Sequence, residues 1–487
     1  MNSPGEIPCK SGTADIRKPR CQFEGVNVKT GPACDLRAAL GSGMADGPRY
    51  TLRPPIAGFW IGRCNGTRRA ALLPLRGIRM SRTDSSRDAS GTACLTISLC
   101  FLATLCEGID LQAAGVTAAG IRAQYHPDSQ LLSYFFSAST LGLFIGAVLG
   151  GRLADRIGRK RVLVAAVAVF GMFSLLTASA WSIGTLTLAR FLTGLGLGGA
   201  LPNVLSIGSE NAPANRRSVS VTMIFSGMPL GGTLASLISL FTSVAQWRWI
   251  FIAGGVVPLL VAPLIALKLP ESLAFSRLKA ALPGTGVRTA LSDFLREGRL
   301  ARTLLLWASS FLALLTLYLL LNWLPTLLAS SGLAKSEVAL GMIGFNLGGG
   351  LAVLYIGFHL ETQMRHRGVL AVFIGLPLLL LLFARGPGGV IAVLAVVFGL
   401  GAAVIAAQAI LYALAPLCYP TRARGTGVGF AVAMGRVGSI IGPLLGGLLV
   451  GSGRSPSQVL AGLLPVVLVG SACAIVLVWR APPALTD

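Results

Sequence analysis

From residue 93 onward the sequence is a succession of apolar stretches, most of them about 20 residues long. An α-helix needs about 20 apolar residues to cross the hydrocarbon core of a bilayer, so each stretch is a candidate membrane span. The chain is 53% hydrophobic and 12% charged, whereas soluble domains carry roughly 25% charged residues. We therefore predict an all-α integral membrane protein of twelve transmembrane helices. The predicted spans are 93–117, 131–152, 160–180, 184–207, 219–243, 249–268, 303–328, 337–360, 368–385, 388–415, 425–450 and 456–479.

Charged residues are concentrated between the predicted spans. The formal net charge is +23, but Lys and Arg lie in short clusters, with no basic stripe interleaved with aromatic residues. This distribution argues against nucleic-acid binding. Basic segments follow the second, fourth, sixth, eighth and tenth predicted spans, while the alternate loops carry few charges. Because Lys and Arg hold loops on the cytoplasmic side of a membrane, we expect both termini to be cytoplasmic.

The chain divides into a polar head and a membrane body. The head, residues 1–79, has no helical period and no apolar run long enough for a signal peptide. It is interpreted either as a disordered basic cytoplasmic tail or, as we favour, as a mis-annotated extension before a true start at Met80. The body comprises an N-terminal six-helix half (80–268), a central cytoplasmic loop (269–302) and a C-terminal six-helix half (303–480).

Two sequence matches at almost the same offset indicate an internal duplication. Segment 151–161 matches segment 357–367 in a glycine, an acid and two arginines, 206 residues apart. Segment 213–217 matches segment 420–424 in a proline and an arginine, 207 residues apart. Both matches follow equivalent spans, so we predict a six-helix unit that is used twice. Two such halves around a central site are a design of membrane transporters, because rocking one half against the other alternates access.

Segment 151–161, with the sequence GRLADRIGRKR, resembles the signature between the second and third helices of the major facilitator superfamily. The resemblance implies the fold of that superfamily and a role in gating for Gly151, Asp155, Arg156, Gly158 and Arg159. Gly158 permits a tight turn into the third span. The alternative is a purely topological role for the basic residues, which leaves Asp155 unexplained. The second copy departs from the signature, with Thr362 and Met364 at the positions of Arg156 and Gly158.

Two further segments resemble the aromatic acid:proton symporter family within that superfamily, and the resemblance extends over residues 80 to about 480. Residues 106–115, with the sequence CEGIDLQAAG, look closest to transporters of 3-(3-hydroxyphenyl)propionate, and residues 190–203 match in the fourth span. The family often has Asp where this chain has Glu107, a change that keeps the carboxylate. The resemblance implies proton-coupled uptake of a small aromatic carboxylic acid, of the hydroxyphenylpropionate or hydroxybenzoate type. We expect a multi-pass monomer of the bacterial inner membrane, with neither a cofactor nor a metal.

Two acidic residues, Glu107 and Asp110, are the only ones well inside the predicted spans. A charge at that depth costs about 2.5 kcal/mol or more and is normally functional. Their spacing of three residues places both carboxyl groups on one helix face. Two close carboxylates in a low dielectric should not both be ionised, so at least one is expected to carry a proton. We predict that Glu107 and Asp110 couple proton and substrate, with a structural ion pair to a neighbouring helix as the alternative.

Two arginines, Arg190 and Arg436, also lie inside predicted spans. The planar guanidinium group matches the geometry of a carboxylate, which is the group that an aromatic acid presents. We predict that both bind the substrate carboxylate, and the family resemblance adds Arg424 near the cytoplasmic end. The alternatives are ion pairs with the two buried acids or with Glu210, or extension of the side chain to the membrane interface.

Polar residues inside the spans are candidates for lining a substrate pocket. They are Gln112, Asn203, Asn322, Trp323, Asn346, Gln408 and Tyr412. Residues of these types at helical spacing are also common in helix packing, so each one is a candidate rather than an assignment.

Two other functions compete with aromatic acid uptake. A sugar porter or drug exporter of the same superfamily has the same architecture, and the sequence Pro270-Glu271-Ser272 after the sixth span occurs in sugar porters too. A membrane-embedded enzyme would need a cluster of His, Ser or Cys with a base at matching depth, which the predicted spans lack.

The abrupt change in composition at Met80 leads to a prediction about the head. A protein that starts at Met80 should insert into the membrane and transport its substrate as well as the full chain does, measured as uptake per inserted molecule. Loss of transport on deletion of residues 1–79, with the protein still made and inserted, would show that the head is functional.

Overall fold

Long helices make up nearly all of the chain that the structure describes. The computed structural model describes residues 85–212, 217–272, 300–359, 365–386, 388–419 and 424–480, so the predicted head and most of the central loop lie outside it. The first six helices are α1 (Ser85–Tyr125), α2 (Ser129–Ile157), α3 (Arg159–Ala178), α4 (Ile183–Asn211), α5 (Arg217–Phe241) and α6 (Arg248–Lys268). The next six are α7 (Leu300–Ser330), α8 (Lys335–His359), α9 (Arg365–Ala384), α10 (Val390–Leu414), α11 (Arg424–Gly451) and α12 (Pro456–Arg480). Short 3₁₀ helices lie at Val244–Gln246 and Ala415–Cys418.

The predicted all-α membrane architecture is confirmed. Within the described ranges, twelve helices are long and apolar enough to cross a bilayer, and each overlaps one predicted span. Helices are the form that such stretches require, because backbone N–H and C=O groups inside lipid must be paired within their own segment. One of the two largest differences is at the end of the first span, since α1 continues to Tyr125. Ala118 and Ile121 are fully buried there and extend the packed face beyond the predicted end at residue 117.

Local chemistry sets the helix boundaries. The side chain of Asp128 accepts a hydrogen bond from the backbone N–H of Leu131 at 2.7 Å and caps the start of α2. The helix ends at Gly158, whose φ of 103° is a conformation that residues with a side chain rarely adopt. Its N–H donates to the carbonyl oxygen of Ala154 at 3.0 Å, and α3 begins at the next residue. The chain therefore turns into α3 within one residue.

The same pairing of helices occurs in both halves of the molecule. In the N-terminal half, α1 packs on α5, α2 on α4 and α3 on α6. In the C-terminal half, α7 packs on α11, α8 on α10 and α9 on α12. These are equivalent pairs if the second six helices repeat the first six. The repeated packing agrees with the internal duplication that the sequence predicts.

The two halves share one hydrophobic core only towards one side of the molecule. We call this side the α1–α2 end, because α1 passes into α2 there, and the opposite side the α2–α3 end. At the α1–α2 end, Phe136 and Trp247 of the first half belong to the same buried cluster as Trp323 and Phe345 of the second. At the α2–α3 end, the described residues form separate clusters, one within the first half and two within the second. The halves are therefore joined most firmly at the α1–α2 end.

Candidate functional site

A cavity lies between the two halves, near the middle of the membrane spans. Its interior volume, measured for the centre of a water molecule, is about 40 Å³. Helices of both halves line it, which is the position expected for the central site of a transporter. The lining residues are Gly108, Leu111, Gln112, Leu201, Phe225, Met228, Pro229, Leu317, Tyr318, Leu321, Asn346, Ile405, Gln408 and Arg436. Four of the predicted site residues are thus brought together, namely Gln112, Asn346, Gln408 and Arg436.

Arg436 supplies the positive charge at this cavity. It lies on α11, is 7% exposed, and donates a hydrogen bond from Nη1 to the hydroxyl group of Tyr318 on α7 at 3.0 Å. Among the described residues, no carboxylate lies within ion-pair distance of its guanidinium group. A guanidinium group carries five N–H donors in a planar fork. Arg436 therefore has donors to offer to an anion in the cavity.

Glu107 lies one residue before the cavity-lining Gly108 on α1, and it has no direct partner. Its side chain is 1% exposed, and neither carboxyl oxygen has a hydrogen-bond partner among the described residues. Its charge interacts electrostatically with those of Arg436 and Asp110. An ionised carboxylate without donors in a low dielectric is costly. Its ionised form thus depends on the charge of Arg436.

Asp110 lies one turn further along α1, and both of its carboxylate oxygens have partners. Its Oδ2 forms an ion pair with Nη1 of Arg190 at 2.7 Å, and its Oδ1 accepts a hydrogen bond from Ser174 at 2.9 Å. Arg190 also donates from Nη2 to the carbonyl oxygen of Asp110 and to Ser139, both at 3.2 Å, and lies over the ring of Phe251. Arg190 is not among the residues that line the cavity. The guanidinium group of Arg190 is thus engaged by Asp110.

An amide pair joins the halves at the cavity wall. Nδ2 of Asn346 on α8 donates to Oε1 of Gln112 on α1 at 3.1 Å and to the carbonyl oxygen of Met342 at 2.9 Å. Gln112 is 1% exposed, and its Nε2 has no hydrogen-bond partner among the described residues. A buried donor without a partner is uncommon and calls for an explanation.

Three further pocket candidates, Asn203, Asn322 and Trp323, contribute to packing. The amides of Asn203 and Asn322 donate to backbone carbonyl oxygens one turn back on their own helices, those of Gly199 at 2.8 Å and Tyr318 at 2.7 Å. Nε1 of Trp323 donates to the carbonyl oxygen of Pro443 on α11 at 2.9 Å. The ring of Trp323 also meets Phe136 of α2 edge-on. None of the three lines the cavity, and Trp323 belongs to the core that the two halves share at the α1–α2 end.

The predicted gating residues lie at the α2–α3 end. Asp155 and Arg156 are exposed, and Asp155 makes neither a hydrogen bond nor an ion pair with a described residue. Around Gly151, nothing lies within 4 Å of where a Cβ would stand. Gly151, Asp155 and Arg156 are therefore not packed against other described residues. Arg424 begins α11, but its side chain lies outside the described part of the chain.

Arg159 belongs to a network that connects α3, the end of α4 and the segment after α6. It forms an ion pair with Glu210 at the end of α4, and the hydroxyl group of Ser272 donates to Glu210 at 2.7 Å. Oε1 of Glu271 accepts the backbone N–H of Lys160 at 2.9 Å. A carboxylate at a helix N-terminus is stabilised by the free N–H groups and by the helix dipole. The residues after α6 thus hold the start of α3.

Sequence reasoning missed several residues of this site. Tyr318 was detectable, because a tyrosine in the middle of an apolar span has to place its hydroxyl group somewhere polar. Ser139 and Ser174 carried little signal, since serines are common in membrane helices. Glu271 lies in a motif that occurs in sugar porters too, so the motif does not discriminate between families. Its role as a helix cap depends on the fold of the segment after α6, which composition does not reveal.

Comparison with known proteins gives a consistent picture. Residues 100–416 match the model of the Major Facilitator Superfamily. The chain is 40% identical to the 3-(3-hydroxy-phenyl)propionate transporter of Escherichia coli (strain K12) over 401 residues, which are 82% of this chain and 97% of that protein. It is 33% identical to the 4-hydroxybenzoate transporter PcaK of Pseudomonas aeruginosa, covering 77% of this chain and 90% of that protein. These relatives are transporters and not enzymes, and the predicted resemblance to aromatic acid transporters is confirmed.

Solved structures show the same fold. A crystal structure of the D-xylose-proton symporter aligns with a TM-score of 0.63 at 18% identity, covering 80% of this chain and 98% of that one. An identity this low indicates a shared fold and says nothing about the substrate. Together, the family model, the curated relatives and the twelve-helix architecture show that this chain belongs to the major facilitator superfamily.

Proposed function

We propose that this protein takes up a small aromatic carboxylic acid together with a proton by alternating access, in the bacterial inner membrane with both termini in the cytoplasm. The relatives named above transport 3-(3-hydroxyphenyl)propionate and 4-hydroxybenzoate. The cavity combines one cation, Arg436, with the aromatic and aliphatic side chains of residues such as Phe225, Tyr318 and Leu321. An aromatic monocarboxylate has the same two parts, one anionic group and one apolar ring. The substrate class therefore fits the chemistry of the cavity.

Arg436 is the proposed receptor for the substrate carboxylate. It lines the cavity and has no ion-pair partner among the described residues. An Arg fork binds a carboxylate through two parallel hydrogen bonds, which orients the anion as well as holding it. The hydrogen bond from Nη1 to Tyr318 fixes the orientation of the guanidinium plane. Arg190 is unsuited to this role while it is paired with Asp110.

Glu107 is the proposed proton carrier, and its unpartnered burial is the observation that carries the proposal. While the cavity is empty, Arg436 is the opposite charge that favours the ionised form of Glu107. When a substrate carboxylate binds Arg436, one guanidinium group would have to balance two negative charges in a low dielectric. Protonation of Glu107 removes that conflict. Substrate binding therefore requires a proton on Glu107, and release of the substrate allows the proton to leave.

This coupling also meets the electrical requirement of uptake. An anion entering a cell with a negative interior is opposed by about 2.3 kcal/mol per charge for each 100 mV. One proton carried with each monocarboxylate cancels that charge. Transport is then driven by the difference in pH across the membrane. A second proton would add a response to voltage, and Asp110 is the only other acid at this depth in the described spans.

In this proposal, alternating access arises from changes in the contact between the two halves. They share a core at the α1–α2 end and have separate cores at the α2–α3 end. With the proposed orientation, this arrangement is closed to the outside. In the opposite state, the exposed Asp155 and Arg156 would approach the second half and close the cytoplasmic side. The residues of segment 151–161 are therefore proposed to stabilise the outward-facing state.

Uptake measurements test the substrate class. Vesicles containing the protein should accumulate labelled 3-(3-hydroxyphenyl)propionate or 4-hydroxybenzoate when the outside is acidic, and should not accumulate xylose. A proton ionophore should abolish the accumulation. Accumulation of xylose in place of both acids would identify a sugar porter of the same superfamily, and accumulation that survives the ionophore would exclude proton coupling.

The two buried acids should respond differently to neutralisation. Glu107→Gln should lose uphill accumulation but keep exchange of labelled for unlabelled substrate, because exchange needs no net proton movement. Asp110→Asn leaves Arg190 uncompensated, so it should lose accumulation and also stability, by about 3–5 kcal/mol, the range for breaking a buried ion pair. Uptake, exchange and thermal unfolding of the purified proteins measure the three effects.

Glu337→Gln is the matched control, since it makes the same chemical change at a partly exposed acid in the first turn of α8. It should retain both accumulation and exchange. Undiminished uphill accumulation by Glu107→Gln would contradict the role proposed for that residue.

A further inference from the structure

One polar group at the cavity, Nε2 of Gln112, has no hydrogen-bond partner among the described residues and no role in the proposed proton coupling. Gln112 is 1% exposed and lines the same cavity as Arg436. Its Oε1 accepts a hydrogen bond from Asn346, yet Nε2 has no partner among the described residues. A buried donor without a partner destabilises the protein. Nε2 is therefore suited to donate to a group that the protein itself does not supply.

The neighbouring amide fixes which atom of Gln112 is the donor. Nδ2 of Asn346 donates to the backbone carbonyl oxygen of Met342 as well as to Gln112. A carbonyl oxygen only accepts, so the amide of Asn346 must present its NH₂ group on that side. Gln112 must then present its oxygen to Asn346. Rotating the amide of Gln112 by 180° would place two NH₂ groups against each other.

The amide pair is complementary to a hydroxyl group. Gln112 contributes a donor. Asn346 lines the same cavity, and its Oδ1, which lies beside Gly232 of α5, accepts no hydrogen bond from a described residue. A phenolic hydroxyl group both accepts and donates a hydrogen bond. A methyl group of similar size does neither, and it would leave the buried Nε2 unpaired.

The pair lies on different helices from the cation at the same cavity. Gln112 and Asn346 are on α1 and α8, whereas Arg436 and its partner Tyr318 are on α11 and α7. Leu317 and Leu321, which flank Tyr318 on α7, line the cavity together with Phe225. The cation, the apolar side chains and the amide pair thus line one cavity from different helices.

We propose that Gln112 donates a hydrogen bond to the phenolic oxygen of a hydroxylated aromatic acid and, with Asn346, makes the transporter prefer hydroxylated acids over acids that lack the hydroxyl group. This inference rests on the proposed uptake of aromatic acids and adds the residues that recognise the ring substituent. It assigns Arg436 to the group that all these acids share and Gln112 to the group in which they differ.

Competition experiments test the assignment. The probe is labelled 3-phenylpropionate, and the competitors are 3-(3-hydroxyphenyl)propionate and 3-(3-methylphenyl)propionate, which differ only by hydroxyl against methyl. The same comparison is made with 4-hydroxybenzoate and 4-methylbenzoate. The parent protein should bind the hydroxyl compound of at least one pair about tenfold more tightly, the factor that corresponds to one buried hydrogen bond of average strength.

Gln112→Met replaces the amide by an apolar side chain of similar length. This variant should lose the preference for the hydroxyl compound. The affinity for the hydroxyl compound should fall about tenfold, and the affinity for the methyl compound should stay the same or rise. Gln130→Leu is the control, since Gln130 is exposed on α2 and its side chain donates a hydrogen bond only to Tyr134 among the described residues. It should keep the preference of the parent.

Each outcome decides between the two proposals. Absence of aromatic acid uptake in the parent protein would overturn the proposed function, and this inference with it. Uptake with equal affinity for the hydroxyl and methyl compounds in the parent would overturn this inference alone, without any variant. An unchanged preference in Gln112→Met would overturn it too.

Discussion

The cost of holding charge inside a membrane governs the central part of this protein. Four ionisable groups, Glu107, Asp110, Arg190 and Arg436, lie buried within the membrane spans. Two of them compensate each other directly, through the ion pair of Asp110 and Arg190. The other two, Glu107 and Arg436, have no direct contact with an opposite charge among the described residues, although the charge of Arg436 favours the ionised form of Glu107. Asp110 and Arg190 thus form an ion pair, whereas Glu107 and Arg436 lack a direct ionic partner, and Arg436 lines the cavity.

The fold determines which pair is complete. Asp110, Arg190 and Ser174 all belong to the first half, so their contacts can persist while one half moves against the other. Glu107 is on the first half and Arg436 on the second, so any movement between the halves changes the distance between their charges. The amide pair of Gln112 and Asn346 also crosses the boundary. Interactions within a half therefore support the structure, and those between halves are the ones that a transport cycle can make and break.

Much of the fold was predictable from the sequence, because lipid imposes a simple rule on the length and polarity of each span. The positions of the twelve helices and the repeat of six followed from that rule and from two spaced motifs. The pairing of the buried charges was not predictable, since Glu107 and Asp110 have the same chemistry and lie three residues apart. Only the positions of Ser174 on α3 and Arg190 on α4 give Asp110 its partners and leave Glu107 without any. Tyr318 and the free donor of Gln112 depend in the same way on contacts between distant segments.

The central claim is that Arg436 cannot balance the carboxylates of Glu107 and of the substrate at the same time. The most direct test is the affinity of the purified protein for 3-(3-hydroxyphenyl)propionate between about pH 6 and pH 9, where the substrate carboxyl group stays ionised and its phenol stays neutral. Because binding consumes a proton, affinity should be constant at the acidic side and fall by up to about tenfold per pH unit towards the alkaline side. In Glu107→Gln the affinity should not change with pH. A parent protein whose affinity is the same across this range, or a Glu107→Gln variant with the slope of the parent, would contradict the account.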